Sequence, residues 1–335
     1  MVDVPSVPPI AETGVWAPTI PALQNGWIPS GGPVNPAADE GLLNWPIQEL
    51  ANRTSYLKAA VDDLRQVADV EVTVGAGGQY ASINEALAEL SRRRPAFRSG
   101  GFTATIRLLS GYVMREQVIV SGVSLGWIEI VSDEPEVLID RAYLTEMAGE
   151  RYPAFAAMMG GVLPRISALF SMMATGAAAN RAGVMVWGGG FASVSAGAGV
   201  KNAGAEGILV THSGEIFAMN SIFSGAGSHG AHFAGGVSGT VHGADLSGAA
   251  DRGLFATHGA VVNAVLANCA GSVQGGIRAT RGAQVSAISA NTQAGTSPSA
   301  TDIVVAEGGI VFASGAIGGA SQATNSVSGS GIIFR

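Results

Sequence analysis

The chain has 335 residues, of which only 13% are charged, and a formal charge of −7. Ordinary soluble domains carry about 25% charged residues, so much of this surface must be covered by other subunits or be built of Gly, Ala, Ser and Thr. The acidic balance argues against nucleic acid and against insertion at an anionic membrane, both of which need clustered Lys and Arg; the short run Arg92, Arg93 and Arg94 reads as a solvated helix end.

Residues 1–38 hold most of the prolines and no helical or strand period, which predicts an extended arm without a core of its own. Trp16 and Trp27, set among Pro18, Pro21, Pro29, Pro33 and Pro36, are candidate anchors in a partner's surface, with an arm folded back on its own protein as the alternative. The start MVDVPSVPP lacks the basic end and apolar centre of a secretory signal, so synthesis in a bacterial cytoplasm without such a signal is expected.

Over 39–68 the apolar residues Leu43, Ile47, Leu50, Leu57 (or Tyr56), Val61 and Leu64 recur at steps of three and four among polar residues. That pattern predicts an amphipathic helix. Its stripe is close to heptad spacing and no second helix is at hand to receive it, so self-association about a symmetry axis is expected.

Residues 69–335 read as one solenoid. Val70, Val72 and Val74 alternate as a strand, Gly75–Gly78 turn the chain, and Ser82 with Glu85 forms a capping box that opens a helix at about 82–93. Strands are expected at 104–109, 117–120, 127–131 and 137–139. Residues 141–180 interrupt this rhythm with Met158, Met159, Met172 and Met173 and predict a helical elaboration. The apolar stretch 153–179 is split by Pro164 and Arg165, so it does not read as a membrane span.

After Gly183 the repeat is plain. One column of glycines precedes apolar alternating segments at Gly190, Gly214, Gly239, Gly259, Gly282 and Gly308; a second runs Gly207, Gly230, Gly253, Gly276, ending at Asp302. Periods of 20–26 residues without helical pattern predict a parallel β-helix with one coil per repeat. Inward columns of Val, Ile, Ala and Phe would fill it, glycines would turn it, and Gly331–Phe334 would close its downstream end. Cys269, the only cysteine, is expected as a buried free thiol.

The run VEVTVGAGGQYASINEAL from Val70 resembles the opening of pectate-lyase-like β-helices. PVNPAADEGLLNWPIQELANRTSYLKAAVDDL, with Leu50-x-x-Arg53-Thr54-x-Tyr56-Leu57, is similar to the particle-proximal helix of phage and gene-transfer-agent tail fibres, and GLFATHGAVVNAVLA with its echo GIRATRGAQVSAISA is similar to their coils. The resemblance implies a right-handed parallel β-helix in a homotrimeric fibre or tailspike, sited in the tail of the particle. Its arm would sit on a tail or baseplate protein and its β-helix would meet a host surface glycan.

Some phage β-helices cleave polysaccharide with paired carboxylates. Here the weak candidates are Glu206 with Glu215 and Asp245 with Asp251; all lie near turns, where solvated or turn-capping roles are the expectation. The five histidines lie between 212 and 258. His212 and His258 share a column with Arg281 and Glu307 that should face solvent. His229 and His232 are read as exposed turn residues, with a metal site repeated by threefold symmetry as the alternative. Gly225-x-Gly227-x-x-Gly230 matches a dinucleotide fingerprint in letters but lies between coils. No cofactor or metal is expected. The expected function is non-catalytic host attachment, with a polysaccharide depolymerase or a structural spacer on the same scaffold as alternatives.

Overall fold

The computed structural model describes residues 45–66, 68–95, 101–147, 151–176, 180–293, 295, 301–318 and 325–335. The chain divides into two compact units, one formed from 1–67 with 92–101, the other from 68–91 with 102–335. In the first, helix α1 spans Trp45–Leu64, and the short strand Arg65–Gln66 pairs in parallel with Arg94–Pro95. Ile47, Leu50, Leu57 and Val61 on α1 are 53%, 56%, 53% and 60% exposed. The arm with Trp16 and Trp27, and Leu43, lie outside the described residues, as does the side chain of Leu64.

The second unit is a parallel β-solenoid of about nine turns. Its strands stack into sheets of eleven, nine and four strands, and every strand pair is parallel. The order of neighbours in the long sheet follows the chain, coil upon coil, from Val70–Val74 to Ile332–Phe334. Alternation does the sorting: in Ala104–Leu108 the first, third and fifth residues are buried, and in Val118–Ser121 the first and third. Each inward residue stacks on its equivalent in the next coil, so Phe155, Val184, Ile208, Ala231, Leu254, Ile277 and Ile303 form one continuous inner column.

Register fixes the repeat more tightly than the glycines do. Ser238 pairs with Val261 and Val261 with Gln284, a step of 23 both times. The equivalents of Gly214 in later coils are Val237, Ala260, Ala283 and Gly309, so Gly259, Gly282 and Gly308 stand one place before them, and Gly239, which pairs with Ile216, lies inside its strand. It is glycine for another reason: a Cβ there would sit 2.3 Å from the ring of Phe233. The second glycine column does hold its register from Gly183 through Gly276 to Asp302. These glycines are demanded by close approach rather than by turn geometry. A Cβ on Gly207 would lie 2.6 Å from the Gly230 carbonyl oxygen and 2.9 Å from Phe223 Cβ, and one on Gly253 would lie 2.4 Å from Cys269 Cβ. Val200, Phe223 and Cys269 are the residues that crowd Gly183, Gly207 and Gly253.

The segment 141–180 is not a helical elaboration. Its described residues hold one 3-10 turn, Arg141–Tyr143, and the strands Phe155–Met158, Arg165–Ile166 and Leu169–Met172. These strands pair with coils on both sides: Phe155 with Val118 and Val184, Ile166 with Ile130 and Val194, Phe170 with Val137 and Val200. Ala and Met favour helix in isolation, but burying Phe155 against Phe170, edge to face at 5.0 Å, holds the segment in the solenoid.

Helix α2, Ile83–Leu90, covers the upstream end and buries Ile83, Ala86, Leu87 and Leu90. Its capping box forms as the sequence predicts, with the Glu85 amide donating to Ser82 Oγ and the Ala81 amide to the Glu85 carboxylate. A carboxylate from the first coil adds to it: Glu116 accepts from the amides of Ile83 and Asn84 at 2.7 and 2.9 Å. Cys269 is a buried free thiol, and burial pushes its pKa up to about 12. Among the described residues no helix is long and apolar enough to cross a membrane.

Candidate functional site

One position on the nine-stranded sheet carries polar residues in successive coils. The residue just before each glycine of the close-approach column is Glu206, then His229, then Arg252. Beside it runs an outward column at the second strand position: Leu209 pairs with His232, His232 with Phe255, and Phe255 with Arg278. Between the two lies a cavity of about 410 Å³, lined by Arg151, Asn180, Glu206, Ser228, His229 and His232, with backbone from Gly204, Ala205 and Gly227. Repetition explains the geometry. Parallel in-register stacking brings each residue next to its equivalent one coil away, so residues 23 apart in sequence become neighbours.

Aromatic faces stiffen the wall. His232 stacks on Phe255 at 4.8 Å and 18°, His229 meets His232 edge on at 5.3 Å, and the Arg278 guanidinium lies over the Phe255 ring, 5.3 Å from its centre. Arg252 reaches across a coil, donating to Thr301 Oγ1 at 3.0 Å. Gly275 makes room for it, since a Cβ there would meet the guanidinium at 2.2 Å.

Glu206 is 3% exposed and accepts from Arg151 Nη1 at 3.2 Å; His232 Nδ1 lies 3.9 Å from its other oxygen. Burial alone would raise its pKa, but the imidazole of His232 and the charge of Arg151 outweigh burial and hold the carboxyl below the usual range. His229 is 9% exposed and its pKa falls to about 4, first because burial disfavours the imidazolium and then because His232 repels it. Asp251, 3.8 Å from His229 Nδ1, opposes this shift without reversing it. At neutral pH the site therefore holds an ionised Glu206 paired with Arg151 beside a neutral His229.

Of the four carboxylates singled out by sequence, Glu206 lines the recess and Asp251 lies beside His229 without lining it. Glu215 begins the strand Glu215–Ala218 of the eleven-stranded sheet and is exposed, so it does not pair with Glu206. Asp245 sits in a ladder with Asn268 and Asn291, takes a bond from Asn268 Nδ2 at 3.0 Å, and closes a turn by accepting from the Ser247 amide. The expectation of a solvated turn carboxylate is wrong for Glu206, and Asp302, which ends the close-approach column, is likewise 3% exposed. His229 and His232 are likewise not exposed turn residues: packed on Phe255, His229 is buried and His232 half-buried. His212 and His258 are exposed, as expected, and His258 and Glu307 flank Arg281 in one ladder at 2.7 and 3.0 Å.

Among the described residues no group of three His, Cys, Asp or Glu side chains could hold a metal ion. Arg151, Asn180 and Arg252 are the members of the site that sequence reading misses. Arg252 has a legible signal, its place before Gly253 in the repeat that also gives Glu206–Gly207 and His229–Gly230. Arg151 and Asn180 arrive from irregular segments and carry none. No protein-family model matches the chain, and no curated protein matches it.

Proposed function

We propose that the chain is a subunit of a trimeric attachment fibre, a tailspike-like part of a phage or gene-transfer-agent particle that touches host surface polysaccharide without cleaving it. The observation that carries this reading is the stripe Ile47, Leu50, Leu57 and Val61, more than half exposed on a helix followed in the chain by a long parallel solenoid. Apolar residues at 3-4 spacing left in water destabilise a lone helix and stabilise a bundle of copies. A solenoid supplies a long face on which weak contacts repeat, and three copies convert weak contacts into avidity. The arm 1–38 would attach the fibre to a tail or baseplate protein through Trp16 and Trp27.

A depolymerase is the weaker reading. Its general acid must be protonated near neutral pH, whereas the buried candidate Glu206 is held ionised by its neighbours.

The test is retention of fluorescently labelled chain on a panel of bacterial cells, before and after enzymatic stripping of surface polysaccharide, with the medium assayed for new sugar ends. Retention lost on stripping, without new ends, is expected. Release of ends would replace attachment by depolymerisation, and absence of retention on every strain would overturn host contact.

A further inference from the structure

We infer that the cavity between Glu206, His229 and His232 is a binding site for a neutral, hydroxyl-rich ring, a single sugar unit. The inference rests on the reading of the solenoid as a glycan-contacting surface and assigns that contact a place. His229 Nδ1 and both ring nitrogens of His232 are buried and have no hydrogen-bond partner among the described residues. Buried polar atoms are almost always satisfied by protein, water or ligand, and here three of them belong to two residues that line one recess. A neutral imidazole offers one donor and one acceptor, and a hydroxyl group answers either.

The rest of the recess selects among ligands. The ionised Glu206 accepts hydroxyl hydrogens, and its pairing with Arg151 leaves no net charge to draw an anion or a cation. A metal ion is disfavoured because no group of three His, Cys, Asp or Glu side chains among the described residues, Glu206, His229 and His232 included, is placed to hold one. A volume of about 410 Å³ falls within the range of small-molecule sites, roughly 300–1,000 Å³.

The experiment is titration of the full-length chain with glucose, galactose, mannose and N-acetylglucosamine, followed by saturation-transfer NMR, alongside His229→Phe and Glu206→Gln. Phe keeps the buried ring and removes its nitrogens; Gln keeps the side-chain shape and removes the charge. At least one sugar is expected to bind the parent chain, and each variant to weaken it tenfold or more while keeping the parent's circular dichroism. Binding of none of the four sugars, or equal binding by a folded variant, would overturn the inference. Cell retention separates this from the wider reading: parent and folded His229→Phe retained alike would remove the site and leave attachment standing, whereas a parent that binds sugar but no cell would remove attachment and leave the site.

Discussion

Gly253→Ala is expected to destabilise the solenoid by roughly 3 kcal/mol or more, a cost at the top of the range for overpacked cores. The added methyl would sit 2.4 Å from Cys269 Cβ and 2.7 Å from its Cα, so relief requires movement of backbone across the coil and not a rotamer change. Neighbouring coils pair through the same strands, so the disturbance spreads to the pairs Ala231–Leu254 and Leu254–Ile277. Gly259→Ala is the control. Gly259 has φ +74°, but a methyl added there would meet nothing within 4 Å, so only left-handed backbone strain of about 1–2 kcal/mol applies. Ser213, with φ 62° at the equivalent place two coils earlier, shows that this turn accepts a side chain. Equilibrium denaturation of both variants checks the difference; equal losses would mean that close approach at Gly253 costs no more than backbone strain.

Acid is expected to weaken the solenoid through His229. Its pKa is about 4 in the fold against an ordinary 6.5, so between those values the unfolded chain binds a proton that the folded chain does not. Stability is then fully present above pH 6.5 and declines as pH falls toward 4, by up to roughly 3 kcal/mol at 1.36 kcal/mol per pH unit. Glu206 adds a loss of the same sign at lower pH: its depressed pKa stabilises the fold above the usual carboxylate range, and that contribution goes as the carboxylate protonates. Thermal melts from pH 7.5 to 4 in the parent and in His229→Phe check this. The variant should lose much of the slope between pH 6.5 and 4; an unchanged slope would place the acid sensitivity elsewhere.

Much of the fold is legible because a solenoid writes its geometry into a short period. The alternation of Val70, Val72 and Val74, the Ser82–Glu85 cap and the run of Gly207, Gly230, Gly253 and Gly276 each state a local requirement that the coil meets. Gly239 misleads because two different needs select the same residue: a glycine clearing space for Phe233 looks like a glycine making a turn. Residues 153–179 mislead because Ala and Met favour helix in isolation, whereas the pairs made by Phe155 and Phe170 settle the matter as strand. The site is half legible. Glu206 and His229 are visible as polar letters before column glycines, yet their burial depends on Phe255 and Arg151, which no local pattern ties to them.

The proposed trimerisation through α1 would turn a solenoid into a fibre with three contact faces. Its direct test is sedimentation equilibrium of the full chain and of a Leu50→Asp, Leu57→Asp variant, with the mass followed over a wide range of concentration. The account predicts three times the chain mass for the parent and dissociation toward single chains for the variant, whose two carboxylates would have to be buried in the bundle seam. A parent that stays at the mass of one chain throughout, or a variant that keeps the parent's mass, would contradict it.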